Sequence, residues 1–346
     1  MRWNNLLLVD PPDRGAVTAP LFDQGAVVRT FDTPEFKGIT FYEIRAKSII
    51  NRVPEASRVP FKWTINPYRG CSHACFYCFA RNTHTYLDMD YGEDFNNQIV
   101  VKVNAAERLR VELAAPRWKH EHIAMGTNVD PYQRAEGRYK LMRGLLEALR
   151  DAANPFSILT KGSLILRDLN LLASCAEVAD VGTNVSVGFV DRTLWRSLEP
   201  GTPSPQKRLE VCRKLNEAGI RCGVLMAPII PFLSDSPSQL EEAVKAIAES
   251  GATHMSPIVL HLRSGAREWF FQWLADNHPT LVPRYRELYG RGAYAPKTFQ
   301  AEISARVHEL AERHGVGRST PGGIRRITPS RRPASEPERA EQLALL

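Results

Sequence analysis

Seven short apolar runs rich in β-branched residues recur through the chain: Phe61 to Ile65, Ile99 to Val103, His122 to Met125, Phe156 to Thr160, Asn184 to Gly188, Cys222 to Ala227 and His254 to Leu260. Between most of them lie helical stretches with clear punctuation. In SPQKRLEVCRKLNEAG, Ser204 can cap the free amides of a first turn, Pro205 suits the first helical position and Gly219 suits a left-handed stop. DSPSQLEEAVKAIAESG repeats the device with Ser236, Pro237 and Gly251. GRYKLMRGLLEALRDA sets Leu141, Leu145, Leu146 and Leu149 on one helical face. Strand alternating with helix predicts an α/β fold with a parallel sheet and crossover helices, doubly wound or closed into a barrel. No Gly-x-Gly-x-x-Gly or Walker-type loop follows any run, which argues against dinucleotide and ATP sites.

The flanks differ in texture. Residues 1–59, with turn formers and short apolar runs, read as a loosely structured N-terminal extension ahead of a β/α unit at 60–262. Residues 263–316 suggest three helices, the first carrying Trp269, Phe270, Phe271 and Trp273. Such rings more commonly bury against a neighbouring layer than offer a base-stacking platform. From 317 to 346 the chain is rich in Pro, Ser and Arg, and it reads as a disordered basic tail. The net charge of +7 owes much to Arg318, Arg325, Arg326, Arg331 and Arg332, and it permits an anionic partner such as nucleic acid. The opening run Leu6-Leu7-Leu8-Val9 stops at Asp10-Pro11-Pro12, too short for a secretory segment, and nothing else approaches a membrane span. A cytoplasmic location without membrane association is the expectation.

Three of the six cysteines fall within eight positions, Cys71-x-x-x-Cys75-x-x-Cys78, in the loop after the first run. In a reducing compartment such a cluster points to metal binding. A structural zinc would need a fourth ligand from His73, His84 or a distant thiol, and would suit a zinc-stabilised nucleic-acid-binding protein without catalysis. Cys175, Cys212 and Cys222 are scattered at apolar spacing and read as buried packing residues. Without a fourth ligand, three thiolates suit a cubane iron–sulfur cluster that keeps one iron open.

Cys71-x-x-x-Cys75-x-x-Cys78, with Tyr77 just before the last cysteine, resembles the signature of the radical S-adenosylmethionine (SAM) superfamily. That resemblance implies a partial, TIM-like β/α barrel of about six parallel strands. It implies a [4Fe–4S] cluster held by Cys71, Cys75 and Cys78, with SAM on its open iron and the Tyr77 backbone facing adenine. It also implies reductive cleavage to a 5′-deoxyadenosyl radical and an electron donor such as flavodoxin or ferredoxin. The strand ends Gly126-Thr127-Asn128, Thr160-Lys161 and Ser186, with the segments EPGTPSPQKRLE and VLMAPIIPFLSD, resemble the spore photoproduct lyase branch. A group of actinobacterial radical SAM proteins is similar over nearly the whole chain. Carried over, Gly126, Thr127, Asn128, Lys161 and Ser186 are the implied SAM contacts, with Lys161 facing the carboxylate. The pattern departs from the branch at Gly126, where its members carry a hydrogen-donating cysteine. Cys222 and Asp130 are then the candidates for a further catalytic group, and the substrate is left open, with nucleic acid one class.

Overall fold

In a computed structural model of the chain, the described residues are 26–55, 57 and 59–317 together with two short strands, Leu6–Leu7 and Val17–Thr18. The predicted tail after Gly317 lies outside them. Six parallel strands form the main sheet in chain order: β1 (Trp63–Ile65), β2 (Ile123–Met125), β3 (Phe156–Thr160), β4 (Val181–Ser186), β5 (Cys222–Ile229) and β6 (Met255–Val259). Each pairs in parallel with its sequence neighbour. Ile50–Arg52 adds an antiparallel edge beside β1, so the sheet is a partial β/α barrel with two edges.

The helical punctuation acts as the sequence suggests. Ser204 accepts a hydrogen bond from the Lys207 amide at the head of Pro205–Glu217, and Ser236 closes a capping box with Gln239 at the head of Pro237–Glu249. Gly219 and Gly251 take positive φ, +76° and +70°, where a side chain would be strained. Helix Leu141–Asp151 buries Met142, Leu145, Leu146, Ala148 and Leu149, whereas Leu141 turns to a second apolar cluster.

That second cluster belongs to a feature the alternation hides. The run near Ile99 is not a barrel strand. Gln98–Lys102 pairs in parallel with Thr40–Ala46 and antiparallel with Tyr68–Arg69, in a separate side sheet that also holds Val27–Thr30. Residues 26–52, read as a loose extension, are largely built into these two sheets. The reason is local: the first crossover carries the cysteine loop, and Gln98–Lys102 provides the wall it lies on. Phe36, Phe41, Tyr68, Ile99 and Val101 pack there with Val129 from the loop after β2. Asn104 staples the side sheet to the crossover by bonding both the amide (2.8 Å) and carbonyl (3.0 Å) of Ala46.

Beyond β6, helices Ala266–Asn277, Val282–Tyr289 and Lys297–Arg313 close the fold. No helix among the described residues is long and apolar enough to cross a membrane.

Candidate active site

β1 delivers the chain to the carboxyl end of the barrel, where β/α barrels assemble their sites. The loop Gly70 to Arg81 then lies across that mouth and is anchored from several directions. The Cys71 amide bonds the Phe95 carbonyl (2.9 Å), the Phe76 amide bonds that of Leu198 (3.1 Å), and Gly201 donates to His73 (3.1 Å). Gln133 accepts from the Ser72 amide and donates to the Gly70 carbonyl, both at 2.9 Å. Arg81 is fully buried and donates to the carbonyls of Cys75 (2.8 Å), Tyr91 (3.0 Å) and Gly92 (2.8 Å). Its guanidinium also stands 5.2 Å from the Phe95 ring and 5.1 Å from that of Trp269. Trp269 in turn stacks on Phe76 at 5.7 Å and 9°. The aromatic helix therefore braces the loop with Trp269 and does not present its rings as a free platform.

The loop faces a cavity of about 200 Å³. Cys71, Cys75, Cys78, Tyr77, Gly126, Thr127, Asn128, Asp130, Lys161 and Ser186 all line it. The candidate cluster cysteines, the implied SAM contacts and Asp130 are thus gathered around one space, as is His73, whereas His84 lies outside it against the Gln98 carbonyl. Cys222 lies at the opposite, amino-terminal end of β5, fully buried and placed against Cys212 and the Gly223 carbonyl. Cys175 sits under Leu146 in the core. Both are packing residues.

Each polar wall group has an identifiable environment. Asp130 accepts from the Thr160 hydroxyl (2.6 Å), the Lys161 amide (2.6 Å) and the Tyr132 amide (2.9 Å), and faces His73 Nδ1 at 3.4 Å. With both oxygens occupied, it acts as a strut between the cysteine loop and the end of β3. Burial would raise its pKa, but His73 and these donors outweigh that and hold it at about 2. A depressed carboxyl stabilises the fold above its unfolded value near 4, and the contribution is lost as pH falls towards 2. Asp130→Asn is therefore expected to cost about 2 kcal/mol near neutrality and to flatten the acid limb of a urea-denaturation profile below pH 4. An unchanged acid limb would contradict the strut.

Lys161 makes its hydrogen bond to the Ser186 hydroxyl (2.9 Å), which donates onward to the Ala227 carbonyl (2.9 Å). The ammonium lies 5.7 Å from the Tyr77 ring and pairs with no carboxylate among the described residues. Thr127 Oγ1 is buried in the same wall without a partner. An ammonium without a direct ion pair and an orphaned hydroxyl on one cavity fit an anionic, hydrogen-bonding ligand such as an amino-acid carboxylate.

For the thiols, burial is the leading effect. It pushes Cys71 well above the usual range, aided by Asp130, and Cys75 up to about 12 against the pull of Lys161. Loading of a metal on such thiols must release protons. Among the described residues no three His, Cys, Asp or Glu side chains are disposed to hold a single metal ion. The zinc-knuckle arrangement is therefore not preformed, while three thiols spread over one cavity wall suit the separate corners of a cubane.

Two features escape a reading of the sequence. Glu199 is fully buried and accepts from both the Tyr77 hydroxyl and the Arg208 guanidinium, while Arg208 also donates to the Ser186 carbonyl (2.8 Å). EPGTPSPQKR contains both partners, yet no periodicity marks them as a pair under the loop. The second is the backbone geometry that requires glycine at 126: φ is +84°, and an added Cβ would stand 1.8 Å from the Leu159 carbonyl oxygen. A thiol cannot be placed at this strand end without moving β3. Gly126→Cys is accordingly expected to lower the thermal midpoint by several degrees and to confer no new hydrogen-donor activity; a variant as stable as the parent would refute the clash.

Comparison with known proteins supports the same assignment. The radical SAM superfamily profile matches residues 65–247. The chain is 48% identical over 317 residues to an uncharacterized protein of Mycobacterium tuberculosis H37Rv, covering 91% of this chain and 93% of that one. An uncharacterized protein of Methanocaldococcus jannaschii is 33% identical over 203 residues, covering 57% of this chain and 70% of that one. Among solved structures, a spore photoproduct lyase with bound SAM and dinucleoside spore photoproduct shares the fold, with a TM-score of 0.56 at 17% identity over 75% of this chain and 76% of that one. Enzymes of this superfamily require a reductant. On its cysteine loop, its barrel and these relatives, the chain belongs to the radical SAM superfamily and is an enzyme of that class, with a [4Fe–4S] cluster and S-adenosylmethionine as its cofactors.

Proposed function

We propose that the mouth cavity is where this chain cleaves S-adenosylmethionine reductively and directs hydrogen abstraction at a substrate of the nucleic-acid class. The carrying observation is that three thiols, a lysine without a direct ion pair and an orphaned threonine hydroxyl surround one space at the carboxyl end of the barrel. Cys71, Cys75 and Cys78 are the cluster ligands in this reading. Lys161, held by Ser186, receives the ligand's carboxylate, while Thr127 and Asn128 offer hydrogen-bonding groups beside the bare backbone of Gly126. The Tyr77 backbone borders the adenine, and its ring is fixed by Glu199. When bound, cluster and cofactor together supply an electron and a 5′-deoxyadenosyl group that accepts the substrate's hydrogen atom. The electron comes from a carrier such as flavodoxin or ferredoxin in the cytoplasm. The solved lyase relative, with its dinucleoside ligand, supports the substrate class by analogy of fold.

Anaerobic reconstitution with iron and sulfide, followed by SAM and dithionite, tests the reading by product analysis. Formation of 5′-deoxyadenosine is the expected result; a colourless, SAM-inert protein containing zinc would overturn it. Lys161→Ala is expected to raise the KM for SAM roughly tenfold or more, the value of a charge-assisted hydrogen bond, with a smaller effect on kcat. Equal KM values would remove Lys161 from the carboxylate site.

A further inference from the structure

Beside the cavity runs a groove of about 650 Å³ that shares Phe79, Thr127, Asn128, Ile258 and His261 with it. It lies between the side sheet, which contributes Arg69 and Lys102, and the barrel edge strand Ile50–Arg52. Among the described residues its lining includes Arg52, Arg69, Lys102 and Arg263, and no carboxylate. Arg52 is already paired with Glu55 at the surface. Arg69 and Lys102 make no ion pair among the described residues, the acid that acts on Lys102, Glu112, lying outside the groove lining. Cations lining a groove without an ion pair raise the local concentration of an anionic ligand. The Asn66 side chain, 9% exposed, lines the same groove with its Oδ1 unpartnered, as does Thr127 Oγ1.

Flat apolar faces accompany the charge. Where groove meets cavity, Phe79 and His261 stand 5.6 Å apart, and His261 stacks on Tyr294 at 5.5 Å and 23°. Arg263 lies 5.6 Å from the Phe79 ring and donates to the Tyr294 hydroxyl (3.3 Å). Phe79 and Tyr294 nevertheless remain 36% and 54% exposed, so part of each ring face is open to the groove. Cations for a phosphate backbone, interleaved with stacking faces, are the chemistry of single-strand binding. A paired base has both faces covered by its neighbours and cannot bring an atom to a recessed cavity without leaving the stack.

We propose that this groove binds an unpaired oligonucleotide strand, with phosphates on Arg69, Lys102 and Arg263 and a base on the Phe79, His261 and Tyr294 rings, and so presents the adjoining nucleotide to the cavity. The binding stands on the groove alone; its purpose rests on the reading of the cavity given above. The test uses the reconstituted full chain and a fluorescein-labelled mixed-sequence 12-mer, titrated as single strand and as duplex at several salt concentrations. The single strand should bind more tightly, with log Kd rising linearly with log salt. Arg69→Gln and the more exposed Arg263→Gln should each weaken it about tenfold and reduce that slope. Tyr294→Ala should weaken the oligonucleotide several-fold while leaving competition by inorganic polyphosphate unchanged. Equal affinity for duplex and single strand, insensitivity to Tyr294→Ala, or binding abolished by removing residues 318–346 yet unaffected by the groove variants would each overturn the proposal. Reductive SAM cleavage measured without oligonucleotide on the same preparations keeps the two readings apart: binding without cleavage refutes the cavity reading only, and cleavage without binding refutes the groove only.

Discussion

Cys75→Ala is expected to yield a colourless protein that forms 5′-deoxyadenosine only at background, yet folds with nearly the parent's stability. The separation follows from how the loop is held. Arg81 grips the Cys75 carbonyl, Phe76 and Cys71 bond through backbone amides, and Gln133 clasps Gly70 and Ser72. None of these bonds uses the thiol. Removing one sulfur from a cavity wall costs about 1 kcal/mol or less of packing, whereas it deletes one of the three proposed cluster ligands. Iron content, the visible spectrum and a thermal melt read the two effects on one sample. A variant that retains iron and cleaves SAM would refute the ligand assignment, and one that fails to fold would refute the backbone anchoring.

Glu199→Ala carries the largest expected loss of stability. The carboxylate is fully buried between Tyr77 and Arg208, and burial opposes its charge, but Arg208 and Lys161 outweigh burial and hold its pKa below the usual glutamate range. Truncation strands the Arg208 guanidinium, itself 1% exposed, and removing one partner of a buried pair costs about 3–5 kcal/mol. Glu199→Gln retains a partner for Tyr77 and should cost less. Since the pKa is depressed on folding, the stabilisation exists above about pH 4.3 and falls away with acid. Urea midpoints at pH 7 for parent, Gln and Ala variants check the ranking. A difference below about 1 kcal/mol between parent and Ala would show that the pair contributes no more than a surface bridge.

The barrel was legible because each level of the chain agrees about it. Runs such as Phe156–Thr160 and Met255–Val259 alternate with helices whose caps, Ser204 and Ser236, are local in sequence and need no partner to act. The cavity was legible for a related reason: polar groups at strand ends, such as Lys161 and Ser186, share one end of the barrel wherever the strands are parallel. The strand at 98–102 cannot be assigned to its sheet from sequence, because an apolar β-branched run does not state which sheet it joins. Its partners at 40–46 and 68–69 are fixed by Phe41, Tyr68 and Val129 meeting in space. The Glu199–Arg208 pair, the Asp130 strut and the groove between two sheets are likewise products of tertiary juxtaposition. Cys222 is a candidate from the sequence only if its strand end faces the cavity, and it lies at the amino-terminal end of β5, outside the cavity lining.

The anchors of the cysteine loop come from places far apart in the chain: Phe95 and Gln133 early, Leu198 and Gly201 midway, and Trp269 near the end. A nascent chain emerging from the ribosome cannot assemble this cradle until almost all of it has been made. A product truncated before residue 269 would lack the Trp269 brace on Phe76 and Arg81, and its three loop thiols are expected to be alkylated faster than those of the full chain.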